Sequence, residues 1–243
     1  MLLIVRCLIL FVLLVLGLGF AVVYCLARPR HKNHVYLYAS VMSWLAPLLG
    51  IKVILRDAKS LKSPCIFTAN HQNNFDAFTL TKAVPQSTVS LGKKSIVWLP
   101  LFGQIYWLTG NILIDRANRK KAFDTLSKTV KKMRERMLSI WFFPEGTRSR
   151  GRGMLPFKLG AFYTAVQAKV PIVPVVASCQ KNINLNRWRN GIVIVEVLEP
   201  ISTINLCAED VKQLAESVRK KMLEAYDRIS QEALQLQLQF KSV

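Results

Sequence analysis

The chain has few of the residues from which metal sites and disulfide frameworks are built. It contains three histidines among 243 residues, and two of them, His31 and His34, belong to one short basic segment. Its five cysteines are an odd number, and they include neither a Cys-x-x-Cys pair nor a histidine at metal-ligand spacing. We therefore predict free thiols in a reducing compartment, no metal and no cofactor.

Acidic residues are also scarce. Fourteen aspartates and glutamates stand against 34 lysines and arginines, which gives a formal charge of +20 at pH 7. Such a surplus attracts polyanions, namely nucleic acid, anionic lipid or phosphorylated ligands. A membrane-tethered nucleic-acid-binding protein is one interpretation, but there is no recognised binding fold and the aromatic residues lie in apolar runs rather than among the basic ones. We therefore expect anionic membrane lipids as partners, and no nucleic acid.

One long uncharged run stands near the start, CLILFVLLVLGLGFAVVYCLA, at residues 7–27. A helix of about 20 apolar residues matches the thickness of a bilayer. A cleaved signal peptide is the alternative, but the run is too long for one and no small-x-small site precedes Arg28. Arg28, Arg30 and Lys32 follow the run, whereas only Arg6 and the amino terminus precede it, so we expect the rest of the chain in the cytoplasm.

A second apolar stretch, residues 35–51, carries aromatic residues and the helix-breaking Pro47. It suits a helix in the membrane interface, or a re-entrant hairpin partner, better than a second span. The sequence has no internal repeat and no linker rich in glycine, serine or proline. We therefore predict an anchor at residues 1–51 and a single catalytic domain at residues 52–243.

After residue 51 the sequence has the pattern of strands that alternate with helices. Seven apolar runs have the length of strands buried on both faces: residues 52–56, 65–69, 88–92, 111–115, 138–143, 172–178 and 191–198. Apolar residues recur at helical spacing at residues 122–137 and 211–229. This order predicts an α/β fold, with a mainly parallel or mixed sheet and flanking helices, preceded by the helical anchor.

The polar segment ANHQNNFDAF, residues 69–78, follows a predicted buried strand. Residues five apart on a regular helix point about 140° away from each other, so His71 and Asp76 meet only if His71 lies in a turn before the helix. Asn73 or Asn74 would then cap that helix. In that arrangement Asp76 fixes the tautomer of a histidine that acts as general base. A helix cap beside a surface histidine is the alternative.

Three further segments follow predicted strands. FFPEGTRSRGRG places Glu145 and then three arginines, beginning with Arg148, at a strand end, where open α/β sheets bind ligands. GNILIDR ends on Arg116, which either clamps a phosphate or forms a surface ion pair. LGKKSIVWLPLFG begins with Lys93 and Lys94 and continues into a segment that either buries an acyl chain or packs the core. VPIVPVV has no chemistry of its own and is expected to shape a wall.

Four segments, NHQNNFD, GNILIDR, FPEGTRS and VPIVPV, resemble in their order the four motifs of the glycerolipid acyltransferases. The resemblance covers nearly all of the chain after the anchor. With GKKS and RGRGMLPFKLGAF beside the motifs, the chain is most similar to the bacterial members that acylate lysophosphatidate. The resemblance implies that His71 is the general base and that Asp76 orients it. It also implies that Glu145, Gly146, Thr147 and Arg148 form a substrate-binding motif, whose arginine binds phosphate with help from Arg116 and Lys93.

The same resemblance implies the reaction and its place. An acyl group would pass from acyl-CoA, or from acyl carrier protein, to the sn-2 hydroxyl of lysophosphatidate, and phosphatidate would form at the bacterial inner membrane. Glycerol 3-phosphate or a lysophospholipid as acceptor is an alternative that the four motifs leave open.

Overall fold

The structure, a computed structural model, describes residues 1–57, 64–99, 102–115 and 117–239. The predicted site residue Arg116 lies outside these ranges. The first helix, α1 (Leu2–Ala27), is the one helix within them that is long and apolar enough to cross a membrane. A shorter apolar helix, α2 (His34–Trp44), and one 3₁₀ turn (Ala46–Leu49) follow it.

Strands and helices then alternate as the sequence predicts. The elements are β1 (Ile51–Arg56), β2 (Ile66–Ala69), α3 (Asp76–Thr79), β3 (Thr88–Lys93), α4 (Phe102–Leu108), β4 (Ile112–Ile114), α5 (Arg119–Arg136), β5 (Ser139–Phe142), α6 (Gly160–Ala168), β6 (Ile172–Ala177), β7 (Gly191–Val197) and α7 (Val211–Gln239). Short 3₁₀ turns follow α3 and β3, at Leu80–Ala83 and Lys94–Trp98.

The seven strands form one sheet in the order β1-β7-β6-β2-β5-β3-β4. All neighbours are parallel except β6 and β7, which run antiparallel. The predicted α/β fold with a mainly parallel, mixed sheet and flanking helices is therefore confirmed. All seven predicted strands are present.

The sheet is covered on both faces, which explains why its strands read as nearly continuous apolar runs. Helices α5, α6 and α7 bury one face through residues such as Met133, Phe162 and Met222. The opposite face packs against the segments before β1 and after β2, including Leu49 and Leu80. Every residue of the central strand β2 is buried, so the loop that follows it starts from a rigid position.

Helix α1 contacts the domain near both of its ends. In its first turns the buried guanidinium of Arg6 donates to the carbonyl oxygens of Leu185 and Trp188, at 2.8 and 2.9 Å. Near the other end Cys25 is buried, and α1 packs against α4. The remaining surface of α1 is apolar and exposed, including Leu8, Phe11, Leu16, Phe20 and Val23. The span at residues 7–27 stays a prediction, because length and apolar character do not by themselves show a crossing.

Helix α2 belongs to the wall of the domain. It packs against α3 and the 3₁₀ turn that follows α3, and it buries Ala39 and Met42 there. Its other side exposes Leu37, Val41 and Trp44, as an interfacial helix would. The second apolar stretch thus contributes one face to the domain and exposes the other, and its place in the membrane interface stays a prediction.

Candidate active site

Four of the connecting segments meet at one edge of the sheet. Strands β2, β3, β5 and β6 are mutually parallel where they pair, so their carboxyl ends lie on the same side. The polar loop after β2, Lys93 at the end of β3, and the segments that follow β5 and β6 are therefore neighbours. This is the edge at which open α/β sheets bind ligands.

His71 and Asp76 form a hydrogen-bonded pair at this edge. The Nδ1 atom of His71 lies 2.7 Å from Oδ2 of Asp76, and the Asp76 side chain is 2% exposed. Helix α3 begins at Asp76, so His71 occupies the turn before it and the predicted contact is present. Since an ionised carboxylate only accepts, Nδ1 of the neutral ring carries the proton and Nε2 is left as the basic nitrogen.

The turn between the two residues is fixed by Asp76 itself. Its Oδ2 also accepts from the backbone N–H groups of Gln72 and Asn73, at 2.7 and 3.1 Å. The predicted helix cap by Asn73 or Asn74 is wrong, because Phe75 precedes α3 and no side chain caps the helix. Asn73 acts within the turn instead, where its Oδ1 accepts from the N–H of Phe75 at 2.8 Å. The local sequence therefore folds into a turn that holds the His71 ring against the carboxylate of Asp76.

His71 is also held in place by Phe143 and Glu145. It stacks on Phe143, with ring centroids 4.1 Å apart. Its backbone N–H donates to Oε1 of the buried Glu145 at 2.7 Å, and the other oxygen, Oε2, accepts from the N–H of Leu155 at 2.9 Å. Burial raises the pKa of the Glu145 carboxyl, while these two backbone bonds oppose the rise. Glu145 thus braces the backbone under the histidine.

One cavity of about 830 Å³ opens beside His71, a volume within the range of about 300 to 1,000 Å³ common for ligand sites. Its polar and charged lining residues include His71, Asn73, Asn74, Asp76, Lys93, Thr147, Arg148 and Arg150, and Gly146 lies beside them in the chain. Its apolar lining residues include Val35, Ala39, Leu80, Val84, Leu91, Ile96, Leu99, Phe102 and Ile105. The cavity therefore joins a base and several cations to a hydrocarbon-like wall.

The structure brings together most of the predicted site residues. Six of them line the cavity: His71, Asp76, Lys93, Gly146, Thr147 and Arg148. Glu145 is not among the lining residues, because both of its oxygens are turned to backbone N–H groups. The geometry therefore assigns Glu145 a bracing contact, and the direct substrate contact implied by the motif has no geometric support.

Two parts of the cavity lining were not predicted from the sequence. Arg150 lines it together with Arg148, although the resemblance singled out only Arg148 among the three arginines of that segment. Helix α2 lines it through Val35, Tyr38 and Ala39, although its apolar stretch indicated only a membrane contact. Amphipathic spacing does not reveal which of two apolar surroundings a helix faces.

Gly146 is required where the cavity meets the segment after β5. Its φ of +72° lies in the left-handed region that glycine favours, and an added Cβ would meet the Lys158 side chain at 2.8 Å. The lysine stem thus packs over the glycine, and a side chain at this position would collide with it.

Among the residues that the structure describes, no three histidine, cysteine, aspartate or glutamate side chains come together as metal ligands. No disulfide forms: Cys25 and Cys65 are buried, and Cys7, Cys179 and Cys207 are exposed.

Comparison with known proteins decides the family. The family model described as Acyltransferase matches residues 50–178, which include the polar loop, the glutamate brace and both arginines of the cavity. The chain belongs to the acyltransferase family. The family inferred from the four ordered motifs is thereby confirmed.

Curated relatives of this acyltransferase cover most of its length. A protein of Escherichia coli named 1-acyl-sn-glycerol-3-phosphate acyltransferase is 51% identical over 207 residues, which are 84% of each chain. One of the same name from Haemophilus influenzae is 49% identical over 197 residues, 79% of this chain and 82% of the relative. The human 1-acyl-sn-glycerol-3-phosphate acyltransferase alpha is 34% identical over 218 residues, 86% of this chain and 76% of the relative.

A solved structure shares the fold of this acyltransferase. It is that of the 1-acyl-sn-glycerophosphate (LPA) acyltransferase PlsC from Thermotoga maritima, with a TM-score of 0.74 and 94% of each chain covered. At 21% identity the likeness concerns the fold alone.

Proposed function

We propose that this acyltransferase transfers a fatty acyl group from a thioester, acyl-CoA or acyl-acyl carrier protein, to the sn-2 hydroxyl of 1-acyl-sn-glycerol 3-phosphate, forming phosphatidate. The names of the bacterial relatives at 49–51% identity support the acceptor. The observation that carries the proposal is the single cavity in which a His71–Asp76 pair, a cationic cluster and an apolar wall meet.

His71 is the proposed general base. Its Nε2 takes the proton of the acceptor hydroxyl while the hydroxyl oxygen attacks the thioester carbonyl and the thiol leaves. Asp76 holds the imidazole in the tautomer that this step needs and stabilises the imidazolium that results. None of the five cysteines lines the cavity, so attack proceeds directly, without an acyl group passing through a cysteine of the enzyme.

Lys93, Arg148 and Arg150 form the proposed phosphate subsite. All three are exposed side chains that line the same cavity as His71, so a phosphate held there keeps the rest of the acceptor within reach of the base. Guanidinium groups bind phosphate through two parallel hydrogen bonds, and the ammonium adds a compact point charge. Arg116 is assigned to this subsite only because it ends the motif GNILIDR, since it lies outside the described residues.

The apolar part of the cavity holds acyl chain. Its wall comes from α2, from the turn after α3 and from the segment that leads into α4, where Ile96, Leu99 and Phe102 line it. Trp98, in contrast, is 82% exposed. Ile96 and Leu99 thus line the cavity, whereas Trp98 between them lies at the surface.

Charge that develops on the thioester carbonyl oxygen needs a hydrogen-bond donor. The N–H of Gly146 already donates to the carbonyl of Phe143 at 3.0 Å, and the Asn70 amide is paired with Ala177. Thr147 lines the cavity and is exposed, and we assign the donor to it.

We place the enzyme at the bacterial inner membrane with the catalytic domain in the cytoplasm. The exposed apolar surface of α1 and the outer side of α2 supply the membrane contact. The basic excess after α1 favours the cytoplasmic side, and the charge of +20 attracts anionic headgroups.

The acceptor is tested with purified protein in mixed micelles. Radiolabelled acyl-CoA and acyl-acyl carrier protein are each offered with 1-acyl-sn-glycerol 3-phosphate, with glycerol 3-phosphate, and with a lysophospholipid that has a choline headgroup. We expect the first acceptor to give at least about tenfold higher kcat/KM, because only it has both the free phosphate dianion and the acyl chain. A faster reaction with either other acceptor would refute the assignment.

The orientation is tested with the protein's own thiols. In a Cys7→Ser variant the exposed thiols are Cys179 and Cys207, both on the catalytic domain. A membrane-impermeant maleimide should leave them unlabelled in intact spheroplasts and label them after lysis. Labelling of intact spheroplasts would place the domain on the other side of the membrane.

A further inference from the structure

The segment that follows β6 is joined to the catalytic loop by a ladder of side-chain amides. Asn70 exchanges two hydrogen bonds with the backbone of Ala177, at 3.0 and 2.9 Å. Gln72 donates through Nε2 to the carbonyl oxygens of Ala177 and Ser178, at 3.1 and 2.9 Å. Both side chains are buried, so the loop carrying His71 is fastened to the end of its neighbouring strand.

Gln180 is the last member of this ladder. Its side chain is almost completely buried, with 1% of the residue exposed. Its Nε2 donates to Oδ1 of Asp76 at 2.8 Å. Its Oε1 lies 3.2 Å from the hydroxyl oxygen of Thr79, which shares its one hydrogen between this oxygen and the carbonyl oxygen of Phe75, also at 3.2 Å. Because the carboxylate only accepts, the NH₂ of the amide must face Asp76, which leaves the carbonyl for Thr79. Its backbone N–H donates to Oε1 of Gln72 at 3.0 Å.

The two oxygens of Asp76 are therefore held by different parts of the chain. Oδ2 faces His71 and the backbone of the turn, all within the local segment. Oδ1 faces Gln180, which is 104 residues away in sequence. Without the Gln180 amide, a buried charged oxygen would lose its donor, and the carboxylate would gain by rotating toward another donor. Such a rotation weakens its hold on Nδ1 of His71.

We propose that Gln180 is a positioning residue for the acyl transfer and that it acts on His71 through Asp76. It keeps the carboxylate turned so that Oδ2 faces the imidazole. The proposal rests on the proposed function, in which His71 is the base. A residue that follows the fourth motif, VPIVPV, would then affect the reaction although it does not touch either substrate.

The first test is Gln180→Met, which keeps length and volume and removes both amide partners. We expect kcat to fall about tenfold to a hundredfold, the effect of one lost hydrogen bond to a buried charge, while the KM values for both substrates stay within about twofold. Gln237→Met is the matched control, since half-buried Gln237 donates to the carbonyl of Ile192 at 3.1 Å, outside the cavity. Its kcat should remain normal. A loss of equal size in both variants would overturn the proposal.

The second test is a double-mutant cycle with Asp76→Ala. If Gln180 acts only through Asp76, adding Gln180→Met to that background should lower kcat by less than about twofold, because the group it positions is gone. A further loss as large as in the native background would overturn the proposal. If Asp76→Ala itself has normal turnover, the proposed mechanism fails. If Asp76→Ala is impaired and Gln180→Met is normal, only this inference fails.

The third test is a pair of variants for the case in which Gln180→Met does not fold. Thr79→Val removes the hydroxyl that donates to Oε1 of Gln180, whereas Thr79→Ser keeps it. Releasing that end of the amide should lower kcat several-fold in the valine variant and leave the serine variant close to normal. Equal turnover in the two folded variants would overturn the proposal.

Discussion

Replacement of His71 with alanine should lower kcat by about two to four orders of magnitude, the usual range for the loss of a positioned general base. The fold should survive, because the ring makes its main contacts with the face of Phe143 and with Asp76, and the backbone bond to Glu145 does not depend on the side chain. Turnover measured with saturating substrates, together with thermal unfolding, checks both parts of this expectation.

His31→Ala is the matched control, because His31 lies in the segment after α1 and does not line the cavity. Its turnover should be normal. Asp76→Asn should cost less than His71→Ala, since an amide oxygen can still accept from Nδ1 although it no longer stabilises an imidazolium. A folded His71→Ala enzyme that keeps normal turnover would exclude His71 as the base.

The His71–Asp76 contact could be predicted because it is local. Both residues lie in one ten-residue segment, and helix geometry alone shows that they meet only across a turn. The partners of that pair could not be predicted. Glu145, which braces the His71 backbone, is 74 residues away, and Gln180, which holds Asp76, is 104 residues away. Such contacts depend on which strands become neighbours in the sheet.

The order of the strands in the sheet could not be predicted from the sequence. Continuous apolar runs indicate that a strand is buried on both faces, and this property identified all seven. The same runs do not say that β6 lies beside β2 or that β7 runs antiparallel to β6. The sequence VPIVPVV was expected to shape a wall only. Because β6 pairs with β2, the residues just beyond it reach the catalytic loop.

Replacement of Arg148 should show whether phosphate recognition is local. With a formal charge of +20, the loss of one exposed arginine hardly changes long-range attraction, so a large effect must come from a direct contact. We expect Arg148→Ala to raise the KM for 1-acyl-sn-glycerol 3-phosphate by about tenfold to a hundredfold, as for a lost hydrogen bond between charged groups. Arg148→Lys should recover part of the loss, because an ammonium does not reproduce the bidentate fork.

The control for this prediction has to be chosen from the structure. Arg150 is close in sequence, but it lines the same cavity, and Arg150→Ala should therefore also raise this KM. Arg134 is suitable, because it is exposed on α5 and donates to the carbonyl of Gln167 at 3.0 Å, away from the cavity. Acceptor kinetics at fixed acyl-CoA, in mixed micelles so that membrane binding is not limiting, compare the variants. If Arg148→Ala and Arg134→Ala gave the same KM, the phosphate would have to bind elsewhere, and Lys93 and Arg150 would be the next residues to replace.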